Sequence, residues 1–205
     1  MTINYYGLSC LKLESSGVVI ATNPYAKVSG LQAPRFEANI VLATQKSFTE
    51  SSVAGEPFTI SGPGEYDVKG VFVRGVFVTP TESIYLIEWD GIKTLFLGEL
   101  KTATMEEAEK AVRLINKGID MLILPVGSAF GSKNSQALVK LIEPRITIPT
   151  EFELKGVKEK REKLEAFLKI AGNKPKEEDK ISVKQNSLPA DKSELIVLAS
   201  PAKAA

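Results

Sequence analysis

Ala38-Asn-Ile-Val-Leu-Ala-Thr44-Gln45-Lys46-Ser47-Phe48-Thr49-Glu50 is the stretch on which the reading of this chain turns. Asn39 to Ala43 is a continuous apolar run, the pattern of a strand covered on both faces. From Thr44 onward the stretch turns largely polar, and it contains no histidine. There is none in the whole chain of 205 residues. Histidine is the commonest metal ligand and the usual general base near neutral pH. Its absence excludes every His-based triad, every Cys–His pair and every His-ligated metal site.

Working outward, the first hundred residues are dominated by short β-rich runs. Ile3–Tyr6, Cys10–Glu14 and Val18–Ala21 are separated by Gly7 and by the Ser15-Ser16-Gly17 turn. Val68–Thr79 alternates, with Gly70 and Gly75 marking a turn or bulge. Ser83–Trp89 and Ile92–Leu97 flank Asp90-Gly91, a strong hairpin signal because both turn positions need positive φ. Helices come later and alternate with strands. Thr104 and Glu107 form a capping box ahead of a helix that buries Ala108, Ala111, Val112 and Ile115 and stops at Gly118. Met121–Pro125 is a buried strand, a second helix covers about Asn134 to Ile142, and Ile146–Ile148 comes next as a strand. A third helix is expected over Glu159–Ala171 with Leu164, Phe167 and Leu168 inward. Residues 174–179 read as a charged linker, and Ile181–Lys184 with Glu194–Ala199 as a closing hairpin. These elements imply two packed sheets with helices outside them, in one domain spanning residues 1–200, with 201–205 a frayed tail.

Composition narrows the function classes. Hydrophobic residues at 43% and charged residues at 25% match an ordinary globular chain with a full core. With 26 basic against 25 acidic residues, a net charge of +1 provides no field that would draw nucleic acid or an anionic membrane. The single cysteine forms neither an internal disulfide nor a thiolate metal site. The N-terminus does not read as a signal peptide, and no apolar stretch approaches the roughly 18 residues that span a bilayer. The expectation is a cytoplasmic protein.

Several segments, taken in order, resemble the metallo-β-lactamase fold, and in particular its L-ascorbate-6-phosphate lactonase-like branch of zinc-dependent hydrolases. Tyr6-Gly-Leu-Ser-Cys10 resembles that branch's Gly-His-Ser-Cys start, and Thr22-Asn23-Pro24 its Asp-Pro strand end. Ala38 to Thr44 looks like the strand that leads into the metal motif, and Ser61-Gly-Pro-Gly-Glu-Tyr66 closely matches a distinctive turn. Leu97-Gly98-Glu99-Leu100 resembles Leu-Gly-Asp-Leu, while Leu124-Pro-Val-Gly127 and Ile148-Pro149 resemble two later strand ends. The resemblance implies an α/β (α+β) fold, a four-layer αββα sandwich. It also implies where metal ligands would stand. The His-x-His-x-Asp-His signature falls on Gln45, Ser47, Thr49 and Glu50, the bridging aspartate on Glu99, and the late histidine on Glu151. A further histidine would fall in the loop from Thr79 to Ser83, where Glu82 is the only charged residue. The opening histidine is Leu8 and the early aspartate Asn23.

Gln45, Ser47 and Thr49 are poor zinc ligands, so a zinc-bound hydroxide has no evident support here. The resemblance therefore implies a histidine-free relative without zinc or cofactor and without catalysis, acting as a binding or scaffold protein. Its partner would be a small ligand or another protein, through a homo-oligomer or pairing with an active paralogue. The alternative is a hydrolase of phosphoester or lactone bonds on an oxygen-ligated Mg²⁺ or Mn²⁺ site built from Glu50, Glu99 and Glu151. Without a cation three such carboxylates repel, so ion pairs or a solvated rim are expected, with Lys46 or Lys101 as neutralising partners. Cys10 reads as a buried structural thiol, and Ser9-x-x-Lys12 as coincidence on a strand. The Gly127–Lys133 connection reads as a loop N-capped by Asn134. The charges of Lys155 to Lys169 read as a solvated helix face.

Overall fold

The computed structural model describes residues 1–26, 30–48, 53–115, 118–172, 174–190 and 193–201. Two sheets face each other across the main apolar core. The first has the order β13-β1-β2-β3-β4-β5, with β1 at Thr2–Gly7, β2 at Cys10–Ser15, β3 at Val18–Thr22, β4 at Ile40–Leu42, β5 at Phe58–Ile60 and β13 at Ile181–Ser182. The second has the order β12-β14-β11-β10-β9-β8-β7-β6. It comprises β6 (Gly64–Val68), β7 (Val71–Thr79), β8 (Glu82–Trp89), β9 (Ile92–Phe96), β10 (Met121–Pro125), β11 (Ile146–Thr150), β12 (Lys176–Glu178) and β14 (Glu194–Leu198).

Pairing in the second sheet changes at β9. From β6 to β9 the strands run antiparallel, and from β9 through β10, β11 and β14 they run parallel. All five residues of β10 and of β11 are buried, as expected of parallel strands covered on both faces. The crossovers carry helices α1 (Met105–Leu114), α2 (Gly131–Ile142) and α3 (Leu164–Ala171), with α1 packed on β7, α2 on β10 and α3 on α2. The outer face of the first sheet is closed by a smaller cluster, Ala21, Ala38, Val41, Ala43 and Val53, with Phe36 and Phe48 packed against it. Among the described residues, that side is covered by loops and by a one-turn helix at Lys46–Phe48. The architecture is the expected sandwich of two sheets flanked by helices. No helix of the described residues is long and apolar enough to cross a membrane.

Local signals translate directly in many places. Asp90 and Gly91 both have positive φ, +52° and +72°, as the hairpin requires. Thr104 and Glu107 form the reciprocal capping box at the start of α1. Four readings are corrected. Gly70 does mark the turn between β6 and β7, but Gly75 is a regular strand position, and the bulge lies between Phe77 and Thr79. Residues 176–178 are not linker: they form edge strand β12, parallel to β14, where charged side chains discourage edge-to-edge pairing. The closing hairpin does not form, because Ile181 and Ser182 pair with Ile3 and Thr2 in the first sheet while β14 joins β11 in the second. Finally, α3 begins at Leu164 rather than Glu159, and residues 159–163 are irregular.

Candidate functional site

The site lies at the carboxyl ends of β3, β4, β9 and β11, and its backbone is unusual. Leu8, Asn23, Leu100 and Glu151, none of them glycine, have φ of +55°, +36°, +49° and +58°. Such left-handed residues persist only where the surroundings fix them. Asn23 is held by its own side chain, which donates to Ser9 Oγ at 2.9 Å and Thr44 Oγ1 at 2.8 Å and accepts from Thr44 N at 2.8 Å. That clamp joins β3, β4 and the turn after β1. The Glu151 amide donates to Leu8 O at 3.0 Å, and the same carbonyl accepts from the Tyr5 hydroxyl at 2.8 Å.

Two of the expected carboxylates converge here, and a cation lies between them. Glu99 stands just beyond β9 and is 8% exposed; Glu151 stands just beyond β11 and is fully buried. Arg161 Nε donates to Glu151 Oε2 at 2.6 Å, and Nη2 donates to Glu99 Oε1 at 2.8 Å. The third nitrogen, Nη1, reaches Glu159 Oε2 at 3.3 Å and Glu159 O at 3.4 Å. Glu159 in turn pairs with Lys101 at 2.7 Å on the rim. Glu151 Oε1 is buried as well. Two buried carboxylates face one guanidinium, and burial weighs first in how the carboxyls titrate. Burial, and then repulsion from Glu151, push the Glu99 carboxyl up to about 7 against the pull of Arg161 and Lys101. Burial also raises Glu151, opposed by Arg161. At Arg161 burial works against the charge, but the surrounding glutamates outweigh it and hold the guanidinium above its ordinary value.

The other expected positions divide. Gln45 Nε2 donates to Glu82 Oε1 at 2.9 Å and reaches Glu99 Oε2 at 3.5 Å, so it borders the site. Glu82 is buried beside it as a strut, accepting from the amides of Lys101 and Thr102 and from the Thr102 hydroxyl. Ser47 is exposed on the one-turn helix and does not join them. Thr49 and Glu50 lie outside the described residues. Cys10 is buried in apolar surroundings, which raises its pKa well above the ordinary thiol range.

Sequence reasoning missed Arg161, which it placed on a solvated helix face. The residue is instead delivered by a strap, residues 153–162. Its base is tied by Glu153 N to Glu162 O and by Glu162 N to Gly127 O, both at 2.9 Å. A Cβ at Gly127 would come within 2.6 Å of the Glu162 carbonyl, so glycine permits this approach. Glu162 also corrects the expected cap of α2. Its Oε2 accepts from Ser132 N at 3.1 Å and Ser132 Oγ at 2.6 Å, whereas Asn134 only donates to the Phe130 carbonyl. The anion position at this helix end is therefore filled from within the chain. Two cavities of about 360 Å³ and 380 Å³ share Glu159, Lys160 and Arg161 as a wall. The first is lined also by Glu99, Lys101, Ser128 and Glu162, with both signs of charge.

A metal ion fits this donor set poorly. Gln45 presents its amide nitrogen to Glu82, and one oxygen of each buried carboxylate faces the guanidinium. Among the described residues, no group of three or more His, Cys, Asp or Glu side chains could hold a metal ion. Zinc sites need about three protein ligands of nitrogen, sulfur or carboxylate type, and Mg²⁺ or Mn²⁺ needs converging oxygens.

A family model described as a Beta-lactamase superfamily domain matches residues 2–151. Among solved structures, a candidate Zn-dependent hydrolase of the metallo-beta-lactamase superfamily from Thermotoga maritima is similar at 25% identity. It has a TM-score of 0.78 and covers 97% of this chain and 98% of its own. Igni18, described as a metallo hydrolase from Ignicoccus hospitalis, shares the fold at 13% identity and a TM-score of 0.64, over 100% of this chain and 97% of its own. An isothiocyanate hydrolase from Delia radicum gut bacteria does so at 8% identity and 0.64, over 100% and 99%. No curated protein sequence matches the chain.

Proposed function

This chain belongs to the beta-lactamase superfamily, and from that premise we propose that it is a non-hydrolytic member that binds a small polar ligand at its strand-end cavity. The observation that carries this reading is the engagement of Glu99 and Glu151 by Arg161. Metal-assisted hydrolysis needs a bound ion to lower the pKa of water. Among the described residues, Gln45, Ser47 and two guanidinium-paired carboxylates provide no suitable ligand set for one. No histidine is present to act as a general base in its place. The cavity beside Arg161 remains, and its mixed charges suit a polar ligand carrying both donors and acceptors. Association with a second chain, identical or homologous, is compatible with the same reading.

Elemental analysis tests it. Protein purified without chelator and then soaked in Mg²⁺, Mn²⁺ or Zn²⁺ should carry no stoichiometric metal and should not hydrolyse phosphoester or lactone substrates. About one tightly held ion per chain, lost in Glu99→Ala, would overturn it. That result would favour the metal-dependent hydrolysis named in the descriptions of the solved neighbours.

A further inference from the structure

Arg161 differs from a surface ion pair in three respects. Its side chain is 5% exposed. All three guanidinium nitrogens are engaged, Nε by Glu151, Nη2 by Glu99 and Nη1 by Glu159. The partners also come from separate places in the fold: the end of β9, the end of β11 and the strap itself. A free surface arginine loses rotamer freedom to make such contacts, whereas this one enters from a loop whose base is already hydrogen-bonded.

The shape of the cage discriminates between cations. A spherical divalent ion draws oxygens to a single centre at about 2.0–2.6 Å. Here the carboxylate oxygens stand at hydrogen-bond distance from different nitrogens of a flat, forked group, the arrangement that arginine favours over lysine or a metal. We infer that Arg161 is a built-in cation that joins the ends of β9 and β11 as a bound ion would, and that the cage of Glu99, Glu151 and Glu159 is made for a planar guanidinium rather than a spherical metal. The inference rests on the non-hydrolytic reading of the same site and names the cation that occupies it.

Removing the side chain exposes the cage to external cations. Arg161→Ala should melt roughly 6–20 °C below the wild type, the cost of leaving buried carboxylates unpaired. Millimolar methylguanidinium should restore part of that loss saturably in the variant and leave the wild type unmoved. Mn²⁺ and Mg²⁺ should restore nothing, and adding Glu99→Gln should weaken the rescue. Equal effects of methylguanidinium on variant and wild type, or stoichiometric Mn²⁺ binding by the variant, would overturn the inference.

Should Arg161→Ala not fold, Arg161→Lys keeps the charge without the fork, and a melting point equal to the wild type's would count against a guanidinium-specific cage. In the wild type itself, the Arg161 Nε–H should exchange with water far more slowly than those of exposed arginines such as Arg113, and should lose that protection in Glu151→Gln. Fast exchange in the wild type would also sink the idea. These outcomes leave the non-hydrolytic reading standing, since that fails on metal or turnover in the unaltered protein.

Discussion

Arg161 Nε meets Glu151 Oε2 at 2.6 Å across ten residues of chain, and neither side chain is more than 5% exposed. A buried pair of this kind is weak evidence of net stabilisation, because both charges were desolvated to make it. Breaking it is another matter. Arg161→Met leaves Glu151 buried and unpaired, and should cost about 3–5 kcal/mol in urea denaturation. Combining it with Glu151→Gln should cost clearly less than the sum of the two single changes. Additive effects would mean the two groups do not interact as the structure has them.

The pH dependence of stability originates in Glu99. Its carboxyl is raised to about 7 when folded, whereas an unfolded glutamate titrates near 4.3. Between those values the folded chain keeps a proton that the unfolded chain has lost. Stability therefore falls as pH rises through that window and levels off above about 7, by at most about 3–4 kcal/mol. Glu151, raised as well, acts in the same direction. Thermal melts from pH 4.5 to 8 should slope downward in the wild type and distinctly less in Glu99→Gln. Identical slopes would remove Glu99 from the explanation.

Gly98 precedes Glu99 with φ +69°, and a Cβ there would stand 2.4 Å from Thr44 Oγ1. Thr44 is itself fixed by Asn23, so the neighbour cannot yield cheaply. Gly98→Ala should cost about 2–4 kcal/mol, combining strained backbone with overpacking. Gly17→Ala, at φ +77° with nothing within 4 Å, isolates the backbone part and should cost about 1 kcal/mol. Similar midpoints for both in urea would contradict the close approach.

Glu162 caps α2 from outside the helix. Glu162→Ala should lower stability by about 1 kcal/mol and speed amide exchange in the first turn, beginning at Ser132. Asn134→Ala should leave that turn protected, because Asn134 donates to a carbonyl rather than capping free amides. Hydrogen exchange followed by NMR separates the two.

The sandwich was legible because its signals are local. Continuous apolar runs, an Asp-Gly turn and a capping box each state their structure within a few residues. Strand β12 was not, since three charged residues carry no periodicity; β13 was read as a strand, but only the first sheet it completes reveals its partner. The site was half legible. Glu99 and Glu151 stand at strand ends, and the order of motifs marks them. Arg161 sits among lysines and glutamates whose composition says solvated helix. Tertiary contacts override that propensity and hold residues 159–163 out of α3. Two weak signals pointed the other way: it is the only arginine after Arg145, and Glu159-Lys-Arg-Glu-Lys163 has no residue suited to capping a helix.

The strap has a consequence for the protein's dependence on its surroundings. A positive charge carried on the polypeptide arrives with translation, one per chain, and needs no uptake, delivery or loading step. Metal sites compete for whatever ions a compartment supplies, and tight binders such as copper can displace the intended one. A guanidinium tethered by a peptide bond neither washes out under chelation nor exchanges for a wrong ion. The state of this pocket is set by inheritance rather than by diet.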